Sequence, residues 1–593
     1  MGKIFGKSDS FNSEYCCSII RIGEVKPIEG KDRIGHTIVN GESVVVRKDQ
    51  VKEGCVMIYA SNETQLNKDF LSANNLFEKS SFELNSNAHI VKPFIDNLEN
   101  NKLEISSFIK KSSRLNKFKT TLEQYETQKL LAEQTGDDKV KESVEDDRIN
   151  ARKGIQHYVF GNGLTDEDTD EEHIARAVDT CMRYEYHIKE LEEQNELNNE
   201  SIKRNVGFFN KTGRVKMIRL GSIPSMGYLF SLEELAKYCP DVKDINIEEL
   251  VGEDFDTVNG ELFVKAYVPF VPERHSKSKT LKANKKIEQF DRMVKGEFSF
   301  HYDTDPLPKN IQKIEPDDVV TISVKVHGTS AIFGNLKVKT PIKLPFYKKL
   351  WNKFIDTTRL FKGLRVADYF IEYGNISASR KIIKNKYINE NVSEGYYGVD
   401  IWTEYGELLY PFIDKGMTVY GEIIGYVTNS EKMIQKNYDY GCEVGKNKFM
   451  PYRITSLKDD GTKREWKVTE VKEWTEKLLR DCPELSDRIM IIDILYHGTL
   501  CNLYPEQPIS QHWHENVLQL MRDDTKHFGM EKKEPLCIHK VPREGIVLRK
   551  DEDELTEAFK LKCYAFLKEE AKLMTDIEQG KEELSNEMAE AYQ

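Results

Sequence analysis

The 593-residue chain has no run of about 18 apolar residues, the length needed to cross a bilayer as a helix. Its best apolar stretch, Ile489–Tyr496, is interrupted by Asp493. Patterned cysteine is also missing: the 10 cysteines are scattered, with no CxxC pair, and only Cys16 and Cys17 are neighbours. Disulfide frameworks and structural zinc sites need closer, regular spacing. The opening Met-Gly-Lys-Ile-Phe-Gly-Lys lacks the apolar core of a secretion signal. No internal repeat and no low-complexity tract occurs. These absences predict a cytoplasmic protein in a reducing compartment, with no membrane partner.

What is present excludes a disordered or fibrous chain. Hydrophobic residues make up 39% and charged residues 31%, enough apolar material for several cores in about three to five domains. The net charge of −12 argues at first sight against a nucleic-acid partner. Yet Asp166–Glu200 alone holds thirteen acids and three bases, a net of −10, which leaves the remainder near −2. The acidity is local.

Texture changes along the chain mark its organisation. Cys17–Ile22, His36–Val39, Glu42–Arg47 and Cys55–Tyr59 are β-branched and aromatic runs, and Asn40-Gly41 between two of them signals a hairpin. Residues 99–204 read instead as an acidic helical insertion, with apolar residues at helical spacing in Leu122–Gln134 and Ile174–Leu197. A loop is expected from Phe160 to Gly163 and on through Asp166–Glu172. The insertion is either a solvated helical excursion or an arm for another protein. β-Texture returns at Gly213–Phe230. Arg274–Lys286, with six Lys/Arg and no acid, is a linker or a phosphate-facing strip. From about Val319 to Leu567 strands and short helices alternate, as in an α+β domain.

Chemistry concentrates in that last region. Val320-Thr-Ile-Ser-Val-Lys325-Val-His327-Gly328 delivers a lysine to the end of a β-rich run, beside a turn. A lysine so held can be aimed at a phosphate, and it attacks once desolvation or neighbouring positive charge removes its proton. In order after it come Ser377-Ala-Ser-Arg380-Lys381, Tyr420-Gly-Glu422, Lys448–Ile454 with Tyr452, Arg543-Glu544-Gly545, and Lys560-Leu-Lys562. Two lysines two apart share one face of a strand. Taken singly, Lys325 could be a surface lysine before a turn, Glu422 or Glu544 an ion-pair partner, and Lys560 or Lys562 a solvated residue.

The ordered set resembles the covalent nucleotidyltransferase superfamily, the lysine-nucleotide enzymes that include polynucleotide ligases and mRNA capping enzymes. All six of its motifs are matched from Lys325 to Lys562. His327, where DNA ligases and capping enzymes usually carry aspartate, resembles the RNA ligases of the nick-sealing RNA ligase 2 type. Only 31 residues follow Lys562, too few for the OB-fold domain that DNA ligases and capping enzymes carry there. A β-rich module in front is similar to the Deinococcus- and Naegleria-type RNA ligases with an N-terminal OB-like domain. The resemblance implies an α+β nucleotidyltransferase domain, with ATP-grasp-like antiparallel sheets and helices, over 273–568. It implies an OB-like β domain in two parts, 1–98 and 205–272, interrupted by the 99–204 insertion, and a helical tail over 569–593.

The same resemblance implies the roles. Lys325 would take AMP from ATP in a phosphoramidate bond. Glu422 would hold the ribose, Tyr452 would stack on adenine, and Glu544 would position Mg²⁺ or Mn²⁺. Lys560 and Lys562 would contact the α-phosphate, His327 would assist at the phosphates, and Arg380 would hold the nucleotide or the nucleic-acid end. Two departures stand out: Val324 replaces a frequent glutamate, and Tyr452-Arg453 replaces the usual Phe-Asp. The expected function is an ATP-dependent RNA ligase acting on RNA with 3′-OH and 5′-phosphate ends, a nicked duplex being one form of that substrate, with a monomer favoured. The alternatives are a DNA ligase, a GTP-dependent capping-type enzyme, or a non-catalytic RNA-binding module. Leu336–Arg365, with nine Lys/Arg, one acid and five aromatic rings, suits RNA or a solvated amphipathic helix. His512-Trp513-His514 reads as structural rather than as a metal cluster.

Overall fold

The computed structural model describes residues 4–160, 163–220, 223–269, 290–300, 302, 304–358, 364–388, 397–457, 462–550, 557–578 and 581. The expected strip Arg274–Lys286 lies outside the described residues. The chain is a mixed α/β protein, and among its described residues no helix is long and apolar enough to cross a membrane. None of the ten cysteines is bridged.

The N-terminal β-module forms where the sequence alternates β-branched residues with turn signals. Its strands are β1 (Cys17–Arg21), β2 (Lys31–Val39), β3 (Glu42–Arg47), β4 (Val56–Ala60), β5 (Tyr228–Phe230) and β6 (Asp254–Phe255). The order β5-β4-β1-β6 makes one antiparallel sheet. β2 and β3 form a hairpin with Val39 opposite Glu42. Asn40 and Gly41 take φ of 49° and 71°, the left-handed pair that a two-residue type I′ turn requires. The module's core gathers Ile19, Ile58, Phe70, Phe230, Phe255 and Phe263, so chain from both sides of the helical excursion builds one core.

The excursion itself is three helices, α1 (Ala88–Thr135), α2 (Asp138–Tyr158) and α3 (Asp170–Asn205). The 48 residues of α1 span about 72 Å at the α-helical rise. Its far part has its own core of Leu115, Leu122, Ile155, Ala177 and Tyr184. At its base, Asn87 Nδ2 donates to Asn205 O at 2.9 Å, so both ends of the arm leave the module at one point. The loop expected to run through Glu172 stops at Thr169. Thr169 and Glu172 form a reciprocal capping box that starts α3 at Asp170.

From Asp305 the chain builds two five-stranded sheets. In chain order the strands are β7 (Asp305–Pro306), β8 (Val319–Lys325), β9 (Thr329–Pro341), β10 (Tyr369–Ala378) and β11 (Met417–Gly425). Next come β12 (Asn447–Leu457), β13 (Lys463–Glu465), β14 (Ile494–Thr499), β15 (Gly545–Lys550) and β16 (Ala558–Lys562). One sheet runs β7-β16-β15-β8-β14 and the other β10-β9-β11-β12-β13. Every pairing is antiparallel except β7 with β16. The helices are α4 (Phe346–Thr358) between β9 and β10, α5 (Ile401–Leu409), α6 (Val468–Asp481), α7 (Trp513–Asp523) and α8 (Tyr564–Glu578). α5 and α6 cover the second sheet through Trp402, Tyr405, Val471 and Leu478. α7 covers the first through Trp513, Val517 and Met521.

Candidate active site

Strand β8 is buried between an exposed Val319 and a half-buried Lys325, and successive side chains point to opposite faces. Val320, Ile322 and Val324 join the core of the first sheet. Thr321, Ser323 and Lys325 line a cavity of about 1000 Å³. Both sheets contribute to this cavity, as do the N-terminal module through Glu14, Ser61 and Tyr267, and α8 through Leu567 and Glu570. All eight side chains singled out from the sequence line it: Lys325, His327, Arg380, Glu422, Tyr452, Glu544, Lys560 and Lys562.

Lys325 is the last residue of β8, and the turn after it is held rigidly. The His327 backbone N–H donates to Tyr440 Oη at 2.7 Å, and Gln435 Nε2 donates to Gly328 O at 2.7 Å. The His327 ring stands edge-on to Tyr438 and Phe566, with centroids 5.0 and 5.1 Å away. A Cβ on Gly328 would fall 2.5 Å from Ile423 O, so only glycine lets this turn lie against β11.

Lys325 Nζ lies 2.8 Å from Glu544 Oε1, and His327 Nδ1 lies 3.8 Å from Glu544 Oε2. Glu544 is buried, and its Oε2 accepts no hydrogen bond among the described residues. It sits just before β15 because Gly545 permits a close crossing. Gly545 has φ of 151°, and a Cβ there would be 2.1 Å from Leu561 O on β16.

On β16 the two lysines meet carboxylates from different parts of the chain. Lys560 Nζ is 3.2 Å from Glu14 Oε1, on the N-terminal module. Lys562 Nζ is 2.9 Å from Glu570 Oε1, on α8. Burial lowers the Lys560 pKa, with Glu14 opposing. Burial also works against the Lys562 charge, but Glu570 and Glu544 outweigh it and hold its pKa above the usual lysine value. For Glu570 burial is likewise overcome, by Lys562, and its carboxyl pKa is lowered. Both lysines are thus matched by anions in a setting where an incoming phosphate could take the same place.

Glu422 lies within β11, buried, opposite Ser330 of β9 and Met450 of β12. Tyr452 is half-buried on β12. Its neighbour Arg453 binds Glu465 Oε1 at 2.7 Å, and Arg549 reaches the same oxygen at 2.6 Å. Arg380 stands on the segment after β10, part-buried.

Sequence reading missed Glu14, Gln435, Tyr440, Arg549 and Glu570. The ring-rich Tyr438-Asp-Tyr440-Gly441 turn was a local signal for Tyr440. Nothing local marks Glu14 as the partner of a lysine 546 positions away. His512-Trp513-His514 plays a packing role: Trp513 is buried and His514 Nε2 is 3.0 Å from Ile314 O. Among the described residues no cluster of three His, Cys, Asp or Glu side chains is arranged to hold a metal.

No protein-family model and no curated protein matches the chain. Among solved structures, it is similar to a Naegleria gruberi RNA ligase mutant with ATP and Mn, at 12% identity. That likeness covers 96% of this chain and 99% of that chain, with a TM-score of 0.40. A second mutant of that ligase, with AMP and Mn, is 13% identical over 94% of this chain and 98% of that one, with a TM-score of 0.42.

Proposed function

We propose that the chain is an ATP-dependent RNA ligase that joins 3′-OH and 5′-phosphate ends through a lysyl-AMP intermediate. The observation that carries this reading is convergence. A strand-end lysine, a paired buried carboxylate and two strand lysines matched by Glu14 and Glu570 reach one cavity from segments up to 237 positions apart, in the motif order of the covalent nucleotidyltransferases. On this reading the two five-stranded sheets are the nucleotidyltransferase domain, and the β-module is an OB-like domain closing over its mouth.

The chemistry follows from the side chains. Lys325, having lost one proton, forms an N–P bond to the α-phosphorus of ATP as the bond to the bridging oxygen breaks. Pyrophosphate leaves with that electron pair. Phosphoryl transfer asks mainly for positioning and for neutralising developing charge, which Lys560 and Lys562 supply once phosphate oxygens displace Glu14 and Glu570. Glu422 holds the ribose, Tyr452 offers a face to adenine, and Arg380 and His327 meet phosphates of nucleotide or RNA. The RNA 5′-phosphate then attacks the AMP phosphorus, breaking the N–P bond and freeing Lys325, and a 3′-OH attacks the activated 5′-phosphorus, forming the phosphodiester and expelling AMP.

A divalent cation fits the residues present. Mg²⁺ commonly binds through one or two carboxylates together with substrate phosphates, and the buried, unbonded Oε2 of Glu544 is such a ligand. Bound there, Mg²⁺ or Mn²⁺ would neutralise charge on the phosphate oxygens.

The test pairs nucleotide choice with polymer choice. The protein is incubated with α-labelled ATP or GTP, then given nicked duplexes whose broken strand is RNA or DNA. Label from ATP and sealing of the RNA strand are expected. Label from GTP alone, or sealing of DNA alone, would replace this reading with a capping-type enzyme or a DNA ligase.

A further inference from the structure

We propose that the tip of the β9–β10 hairpin is a docking surface for an anionic lipid bilayer. The hairpin carries α4 at its end, and α4 turns its apolar side outward. Phe346, Tyr347 and Leu350 are 79%, 67% and 58% exposed, and Trp351 and Phe354 are exposed beside them. At the helical repeat these five side chains occupy one arc of about 140°. Asn352 and Ile355, on the opposite side, are the buried residues that seat the helix. In a soluble protein an apolar arc of this width faces a core. Here it faces away from one.

The charges sit apart from the rings. Lys349 and Lys353 flank the apolar arc on one edge and are exposed, and Lys343 precedes the helix, also exposed. The one acid on the helix, Asp356, is engaged by Arg365 Nε at 3.1 Å. The same guanidinium holds Asp368 at 2.6 Å. Glu372, further down the hairpin, is hydrogen-bonded by Thr340. Among the described residues, no acid is paired with Lys343, Lys349 or Lys353, so they present positive charge that complements anionic headgroups.

Two observations favour a bilayer over an RNA strand. Rings and aliphatic side chains share the arc while the lysines are segregated from it, whereas a strand of RNA asks for rings and cations interleaved along its path. Next, Tyr369, Phe370 and Ile371 on β10 are all exposed. Consecutive strand residues point to opposite faces, so the hairpin end is apolar on both sides. Among the described residues, the ring and aliphatic side chains of α4 and of both faces of the start of β10, beside the exposed lysines, suit burial at the boundary between headgroups and acyl chains. The 13 residues of β9 set this tip roughly 40 Å from the turn after Lys325, at the usual rise per strand residue. The cavity would stay open to solvent while the tip is docked. This surface stands apart from the ligase reading and needs none of its residues; it replaces the expectation of no membrane partner, which rested on the lack of a membrane-spanning run and does not bear on docking at a bilayer surface.

Vesicle flotation of the full chain tests it. The probes are vesicles of phosphatidylcholine alone, and of phosphatidylcholine mixed with phosphatidylglycerol. The protein should float with the mixed vesicles and not with the neutral ones, and added salt should weaken the association. A Phe346→Ser/Leu350→Ser/Phe354→Ser variant, and separately a Lys349→Glu/Lys353→Glu variant, should each lose roughly tenfold or more in binding. Both should melt as the parent does, since every substituted side chain is exposed. Flotation with neither vesicle, or equal flotation of the variants, would overturn the proposal. So would loss of RNA retention on filters in variants of a protein that never binds vesicles, which would make the hairpin an RNA surface.

Discussion

Replacing Arg522 with leucine should cost about 3–5 kcal/mol, the range for stranding one member of a buried ion pair. Arg522, on α7, has a side chain only 3% exposed, and its Nη2 lies 2.6 Å from Glu42 Oε1 on β3. Its guanidinium also stands 4.6 Å from the Tyr564 ring centroid. The pair joins the N-terminal module to the region that carries Lys325. Without the cation, Glu42, its side chain 18% exposed, is left as a largely desolvated anion at that joint. Glu42→Leu should be comparably costly because it strands Arg522. The double substitution should lie near the parent, since two apolar side chains need no solvation. Urea unfolding of all four proteins, followed by circular dichroism, gives a coupling energy of several kcal/mol on this reasoning. The pH dependence follows from Glu42. Burial raises its pKa, and Arg522 opposes the rise. A carboxyl group raised on folding favours the folded state below its unfolded pKa, and that contribution is lost as pH rises through the folded value. Removing Arg522 removes the opposition. The Arg522→Leu penalty should therefore be largest at neutral pH and shrink on acidification. A penalty below about 1 kcal/mol, the level of a surface pair, or one independent of pH, would refute the argument.

Gly545→Ala should destabilise the chain by about 3 kcal/mol or more, because the added Cβ meets Leu561 O at 2.1 Å. A thermal melt within a degree or two of the parent would contradict this. Glu14→Gln should tighten the binding of ATP or pyrophosphate several-fold, since Glu14 holds Lys560 at 3.2 Å where a phosphate would sit. Titration calorimetry showing weaker binding would make Glu14 a support of the site rather than a placeholder. Replacing residues 102–194 with a short Gly/Ser loop should leave a folded protein that still labels with ATP. Asn101 Nδ2 already donates to Asn195 Oδ1 at 3.1 Å across the gap to be bridged. Loss of labelling in a protein with an unchanged melt would show that the arm serves the reaction.

The parts of the site that could be read in advance are those that local chain geometry dictates. Lys325 at a strand end before His327-Gly328, Glu544 before Gly545, and Lys560 with Lys562 two apart are each set by a strand period or a turn within a few residues. The Asn40-Gly41 hairpin was legible for the same reason. What stayed hidden depends on packing between distant segments. Glu14 meets Lys560, Glu42 meets Arg522, and Tyr440 holds the His327 N–H only once the module, α7 and the sheets are assembled. The segment set apart as a tail from residue 569 is another such case. In the fold it supplies Glu570 to the cavity, and Met574 and Ile577 pack on Tyr267 of the N-terminal region. On α4 the sequence shows rings and lysines mixed, and only the helical projection separates them into an apolar arc and a basic flank.

The nucleophile proposed for this cavity is the Lys325 amine. Parent and Lys325→Ala proteins would be incubated with α-labelled ATP and Mg²⁺, denatured, and assayed for label that survives denaturation but is released by acid. Lys325 Nζ stands 2.8 Å from Glu544 and faces the cavity that Lys560 and Lys562 share. Acid-labile label is expected on the parent and none on Lys325→Ala, with unchanged circular dichroism. Acid-labile label retained by the alanine protein would contradict it.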